Sequence, residues 1–221
     1  MSEDSSPTKP ASRRIDGRAI AQRIEEEVER GVAELKAQGH APQLVAIQVG
    51  NDAATNVYIQ RQKERFSRHG IQYTHLGLDA STTEAALLTH IRSLNANPLV
   101  TGIILTMPLP PGIRAANVQE AIAAEKDVEG VNPINIGRLI YNRHAVGPCT
   151  ALAVMEAIDS TGKSLRGQNV VIVGHSDIVG KPVGLCLLQE LATITMCHVA
   201  TRNLAEETRR ADILVVAVGK P

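Results

Sequence analysis

Apolar residues recur every three or four positions from Ile20 through Ile24, Val28 and Val32 to Leu35, with charged side chains between them. That period lays one apolar stripe along a helix, beneath a charged face. Asp16 stands where an N-cap belongs and Gly39 where a helix closes. The period then shortens. Leu44 to Val49 (LVAIQV) is brief, apolar and β-branched, which predicts a buried strand. A helix over 53–69 follows, ended by Gly70, and then a strand over 71–78. Ser81-Thr82-Thr83-Glu84 fits a capping box in which the Ser81 hydroxyl and the Glu84 carboxylate satisfy open backbone amides. The helix after it carries Leu87, Leu88, Ile91 and Leu94. Gly102 to Thr106 reads as the next strand, Pro108 to Gly112 as an extended turn, 117–124 as a helix and 126–137 as a loop without periodicity.

From Pro148 the alternation resumes with a helix over 151–160, a strand over 169–173, a helix over 179–190, a strand over 193–197, a helix over 204–210 and a strand over 212–218. Strands alternating with helices predict an α/β fold with two parallel-sheet α/β domains flanking a cleft, joined near Gly147. The division is 1–14 as a polar, disordered leader, 15–147 as the first domain and 148–221 as the second. Only three strands fall in the second sheet, where doubly wound domains carry five or six. The expectation is a minimal domain or an incomplete chain.

Composition narrows the classes. Of 221 residues, 23 are basic and 23 acidic, so no charged field favours nucleic acid or an anionic membrane as partner. One Phe, three Tyr and no Trp leave the core to Ala, Val, Ile and Leu, which suits sheets covered by helices on both faces. Cys149, Cys186 and Cys197 form no CxxC pair, so free thiols in a reducing, cytoplasmic setting are expected and a metal site is not. The leader has no apolar run of the signal-peptide kind, and no run is long enough to cross a bilayer.

Three segments carry candidate chemistry. The first is Val170 to Pro182 (VVIVGHSDIVGKP), an apolar strand running into Gly174, Ser176 and Gly180 at the mouth of a helix. Glycines there admit a pyrophosphate to the backbone, and amides at a helix start bind anions; a bare strand-to-helix turn is the simpler alternative. The second is Val49 to Tyr58, where a strand end feeds a helix carrying Tyr58 and Gln62 one turn apart on one face. Such a pair orients a substrate or a water, or else is ordinary half-buried packing. The third group is Leu105 to Pro110 with Lys126 to Gly130 and Pro148 to Thr150, all at strand ends where open α/β sheets place ligands. Glu129 is a candidate acceptor for the N–H groups of a heterocycle.

Together these segments resemble one family. The matching runs are VGND at 49–52 with Tyr58, PLP at 108–110, KDVEG at 126–130, NPINIGRL at 132–139, PCT at 148–150, VGHSDIVGKP at 173–182, CH at 197–198 and ADILVVAVGKP at 211–221. They are collinear from about Ile15 onward with the bifunctional methylenetetrahydrofolate dehydrogenase/cyclohydrolase family. The resemblance implies a cytoplasmic homodimer that oxidises 5,10-methylenetetrahydrofolate with NADP or NAD and hydrolyses the methenyl product to 10-formyltetrahydrofolate. It makes the second domain a partial Rossmann-like NAD(P)-binding domain. It also implies Tyr58, Gln62, Thr106 and Glu129 as catalytic positions, with Leu105 and Met107 joining them around the tetrahydrofolate derivative. The nucleotide falls to Gly174, His175, Ser176, Ile178, Gly180, Val199, Thr201 and Gly219.

The departures from that family pattern bear on chemistry. Gln62 stands where relatives carry a lysine, and Lys63 lies about 100° away around the helix. A lysine holds or moves a proton, whereas a glutamine offers only fixed hydrogen bonds, so hydrolysis of the methenyl bridge is expected to be weak or lost. Hydride transfer depends on juxtaposing two rings and is expected to survive. Thr106 replaces a glutamine and Glu129 an aspartate, while His175 and Val199 replace an arginine and a serine that grip the 2′-phosphate of NADP. The family's remaining C-terminal strands, Gly-rich segment and last helix have no counterpart among the 221 residues. Two alternatives remain beside the enzyme: a non-catalytic relative that binds folate or nucleotide or pairs with an active full-length homologue, and a fragment without function of its own.

Overall fold

The computed structural model describes residues 14–143 and 146–219. The expected disordered leader therefore lies outside the described residues, apart from Arg14. Helix α1 spans Gly17–Ala37, β1 Gln43–Val49, α2 Ala53–Arg68, β2 Gln72–Leu78, α3 Glu84–Ala96, β3 Gly102–Leu105, α4 Ala115–Ala121 and α5 Pro133–Ile140. The second half holds α6 Cys149–Asp159, β4 Asn169–Val173, α7 Gly180–Gln189, β5 Thr193–Cys197, α8 Leu204–Arg209 and β6 Ile213–Val216. Two three-stranded parallel sheets result, ordered β2-β1-β3 and β5-β4-β6. The fold is α/β, as the alternation predicts.

The central strands, β1 and β4, carry long buried runs. Val45 to Val49 are all buried in β1, as are Val170 to Ile172 in β4. Around β1, Ile47, Leu87, Ile91 and Ile103 are essentially inaccessible to solvent; around β4, Ile172, Val183 and Leu187 are. Each such side chain stabilises the fold by about 1.5–3 kcal/mol relative to exposure. The two cores share no residue.

Local signals set the element ends. Asp16 accepts from the backbone N–H groups of Arg18 and Ala19. Gly39 at φ +83° lets His40 N–H return to the Leu35 carbonyl and close α1. The expected capping box does not form. Thr83 caps α3 by accepting from Ala86 N–H, while Ser81 turns to Asp79 and Glu84 accepts from Arg114 N–H and Asn117. The helix starts two residues later than the box requires, so Glu84 faces α4 instead of its own cap.

Two further differences concern burial and order. Segment 126–137 is not a featureless loop, because α5 begins at Pro133 with Asn132 accepting from Ile134 N–H. Its eight residues are too few to show periodicity, but a capping Asn before Pro at the first helical position is a start signal. The apolar stripe of α1 is only partly covered: Val32 is buried, whereas Ile24, Val28 and Leu35 stay half-exposed. Polar contacts flank the helix instead: ion pairs from Glu25 to Arg65 and Arg23 to Glu156, and a hydrogen bond between Glu29 and His69.

The segment after β3 joins the two halves. Lys126 Nζ donates to the Leu94 and Asn97 carbonyls, closing the C-terminal end of α3. Asp127 is buried and accepts from Asn132 N–H at 2.8 Å and Asn135 Nδ2 at 2.9 Å. Gly130 packs so tightly on the Gly147–Pro148 backbone that a Cβ there has no room. This brings the start of α6 against Glu129.

Candidate active site

The C-terminal end of β3 and the first turns of α2 border a cleft of about 430 Å³. Tyr58, Leu105, Thr106, Met107 and Glu129 line it, so five of the six expected substrate positions converge. Gln62 does not reach the cleft surface. It lies one turn behind Tyr58 and donates from Nε2 to Tyr58 Oη at 2.8 Å. Thr106 borders the cleft, but its hydroxyl donates to the Ile47 carbonyl at 2.9 Å inside the sheet. That hydrogen is already engaged, so Thr106 supplies shape here and no free donor.

Electrostatics distinguish the acidic and phenolic groups. Burial pushes the Glu129 carboxyl up from the ordinary glutamate range; Leu105 N–H opposes this and Asp127 adds to it. Tyr58 is also raised, first by burial and then by the charge of Glu129. It therefore stays a neutral phenol, able to donate. Cys149 is raised by burial and by Glu129, so it is an unreactive thiol at neutral pH, with Sγ donating to the Val128 carbonyl.

Several contributors escaped sequence reasoning. Asp52 caps α2 by accepting from Thr55 N–H at 2.8 Å, and the Thr55 hydroxyl lies 2.8 Å from Asp52 and 3.0 Å from the Met107 carbonyl. The Asp-x-x-Thr spacing was a readable cap signal. The Thr55 N–H holds the Asp52 carboxyl below its ordinary range. Tyr73 on β2 donates to Gln62 Oε1 at 2.9 Å. Eleven residues and a change of element separate that pair, so no local spacing announces it.

A second cavity, of about 600 Å³, opens at the C-terminal ends of β4 and β5. Gly174, His175, Ser176 and Val199 line it, and Asp177, Lys181 and His198 join them. The other expected positions stand apart from its wall. Gly180 is buried beneath the turn, where a Cβ would collide with the Gly174 carbonyl, and Gly174 itself at φ +119° has no room for a Cβ against Ala217 O. Thr201 braces the turn after β5 by accepting from His198 N–H at 2.8 Å. Ile178 and Gly219 flank the site without lining it.

The first amides of α7 are taken up within the turn: Gly180 N–H donates to Ser176 Oγ at 3.4 Å and Lys181 N–H to the Ser176 carbonyl at 3.1 Å, while Pro182 has none. The His175 and His198 rings lie 5.2 Å apart, with His198 Nδ1 accepting from Ala200 N–H, which leaves Nε2 as the site of the hydrogen. Val199 is fully exposed and brings no donor. Among the described residues no cluster of His, Cys, Asp and Glu is arranged to hold a metal, and no helix is long and apolar enough to cross a membrane.

Comparison with known proteins bears on both cavities. Residues 15–129 match the family model for the tetrahydrofolate dehydrogenase/cyclohydrolase catalytic domain, and 148–221 match its NAD(P)-binding domain. The chain is 46% identical over 217 residues to the bifunctional protein FolD of Bordetella petrii, covering 98% of this chain and 74% of that one. The solved methylenetetrahydrofolate dehydrogenase/cyclohydrolase of Campylobacter jejuni superposes with a TM-score of 0.90 at 35% identity, over 93% of this chain and 73% of its own. The Trypanosoma brucei dehydrogenase-cyclohydrolase, solved with NADP and an inhibitor, gives a TM-score of 0.90 at 34% identity, over 96% and 74%. Motifs, fold and strand-end cavities agree: this chain belongs to the tetrahydrofolate dehydrogenase/cyclohydrolase family.

Proposed function

We propose that the chain oxidises 5,10-methylenetetrahydrofolate with NADP or NAD, and that its hydrolysis of the methenyl product is weak or lost. The observation that carries this reading is the meeting of Tyr58 and Glu129 over an apolar wall at the end of the first sheet. Glu129 accepts from the N–H groups of the folate heterocycle, and burial strengthens that charge-assisted bond. Tyr58 orients the ligand from the opposite side through its hydroxyl. Leu105 and Met107 cover the apolar ring faces and exclude water.

In the second cavity the Gly174–Gly180 turn brings backbone amides to the pyrophosphate, and Ser176 flanks it. A bound nicotinamide supplies the acceptor for a hydride from the methylene bridge. His175 is the one ionisable donor at the 2′-phosphate position implied by the resemblance, and Val199 adds none. Both NADP and NAD are therefore compatible with the site. Gln62 has no proton to give or take at neutral pH, so water attacking a methenyl bridge finds no base at that position. The same reading places the domain division at 147/148 and makes the chain a cytoplasmic homodimer.

The test is a turnover assay with 5,10-methylenetetrahydrofolate, run separately with NADP and NAD while following nicotinamide reduction and methenyl accumulation. Reduction with methenyl product building up is expected. No reduction with either nucleotide, from a sample folded by circular dichroism, overturns the dehydrogenase reading. Rapid conversion to 10-formyltetrahydrofolate overturns the statement about Gln62.

A further inference from the structure

The cleft has a second layer that none of the matching motifs includes. Gln62 touches two phenols at once: its Nε2 donates to Tyr58 Oη at 2.8 Å, and its Oε1 accepts from Tyr73 Oη at 2.9 Å. An amide has a donor end and an acceptor end of nearly equal size, so with one partner it can serve that partner in either orientation. A second partner decides which. Here the direction follows from the surroundings. Tyr73 is half-buried, and its only side-chain hydrogen bond among the described contacts is to Gln62. With the amide reversed, its hydroxyl hydrogen is left without an acceptor, at the cost of an unsatisfied polar group away from water. Tyr58 is 53% exposed at the cleft, where its hydrogen reaches solvent or ligand. Only the direction Tyr73 to Gln62 to Tyr58 satisfies all three groups.

We infer that Tyr73 is a positioning residue for this cleft: it fixes the Gln62 amide as a donor to Tyr58, which leaves the Tyr58 hydroxyl hydrogen free to donate to the folate. The inference rests on the proposed function for its ligand, whereas the hydrogen-bond lock itself does not. Two further observations support it. The Tyr73 ring stacks on Phe66, centroids 5.8 Å apart at 12°, and both pack against Leu44, Ala46 and Ile104, so the ring is held in place. Burial, reinforced by Tyr58 and Glu129, pushes the Tyr73 phenol up to about 12, so it keeps its hydrogen at any working pH. Without Tyr73 the amide is free to turn its oxygen toward Tyr58, and the Tyr58 hydrogen then goes to Gln62 instead of the ligand.

The test is Tyr73→Phe, which keeps the stacked ring and removes the hydroxyl, made in the native chain and again with Gln62→Met. KM for 5,10-methylenetetrahydrofolate is expected to rise roughly 3- to 10-fold in the native background, the equivalent of one ordinary hydrogen bond. KM for the nucleotide stays unchanged. Partial unfolding lowers kcat through the active fraction and moves neither KM, so it is distinguishable. With Gln62→Met in place, Tyr73→Phe is expected to have no further effect. In parallel, the side-chain amide signals of Gln62, assigned by their loss in Gln62→Met, are expected to be dispersed in the native chain and to move toward free-glutamine positions in Tyr73→Phe. An unmoved folate KM, or an equal rise in both backgrounds, overturns the inference while the dehydrogenase reading stands. Free-glutamine amide signals in the native chain also overturn it. Dispersed signals with no folate binding by any variant overturn the dehydrogenase reading, and with it the positioning role.

Discussion

Asp127→Ala tests whether a buried carboxylate organises the segment that carries Glu129. Asp127 is 2% exposed and accepts two buried hydrogen bonds, at 2.8 Å from Asn132 N–H and 2.9 Å from Asn135 Nδ2. Hydrogen bonds to a charged acceptor contribute about 1.5–3 kcal/mol each, and truncation also strands both donors away from water. Taking the lower figure for each bond, the variant is expected to lose about 3 kcal/mol. With a urea dependence of about 2 kcal/mol per molar, the unfolding midpoint falls by about 1.5 M, read by circular dichroism. Both bonds end on the same oxygen, Oδ2, so Asp127→Asn keeps both with a neutral acceptor and is expected to lose about half as much. Because the start of α5 hangs on the same carboxylate, Glu129 loses its fixed position, and folate KM rises while nucleotide KM does not. A midpoint shift below about 0.5 M shows that relaxation or water satisfies the two asparagines and refutes the argument.

Two other outcomes follow from the described geometry. Gly180→Ala places a Cβ against the Gly174 carbonyl, so the strand-to-helix turn must open; nucleotide affinity is expected to fall at least roughly tenfold by isothermal titration, and unchanged affinity shows that the turn does not form the nucleotide seat. The Glu129 carboxyl is raised on folding, so the folded chain binds more protons there than the unfolded one. Its contribution to stability therefore declines as pH climbs from the ordinary glutamate range through the raised value. Glu129→Gln is expected to flatten that part of the stability curve, upward from about pH 4, measured by urea midpoints, and parallel curves for both proteins refute the assignment.

Much of this was legible because local rules and tertiary context agree. The aliphatic runs at Leu44 and Val170 became the central strands, since a strand buried on both faces has no polar alternation to hide it. Asp16 marked a helix start by its side-chain acceptor, and Gly39 and Gly70 marked helix ends by the positive φ that glycine tolerates. The capping box failed because Ser81 is drawn to Asp79 and Glu84 to α4, contacts that no window of four residues contains. The hydrogen-bond partners of Thr106 and Gln62 were hidden for the same reason. Whether a hydroxyl faces a ligand or the neighbouring strand depends on the register of β1 with β3, and that the Gln62 amide has two partners depends on how α2 lies over β2. At the second cavity, Ile178 and Thr201, positions the resemblance implies, sit on the turns beside the wall.

The scarcity of aromatic residues has a practical result. The chain has three tyrosines and no tryptophan, and two of the three are the phenols joined through Gln62. The third, Tyr141, is 76% exposed. Two of the three phenols that emit in the near ultraviolet thus belong to the hydrogen-bonded pair beside the cleft, and the third is one solvated ring. A conjugated heterocycle settling against Tyr58 quenches that emission directly. The protein carries its own optical gauge of occupancy, with no label to attach and one constant background to subtract.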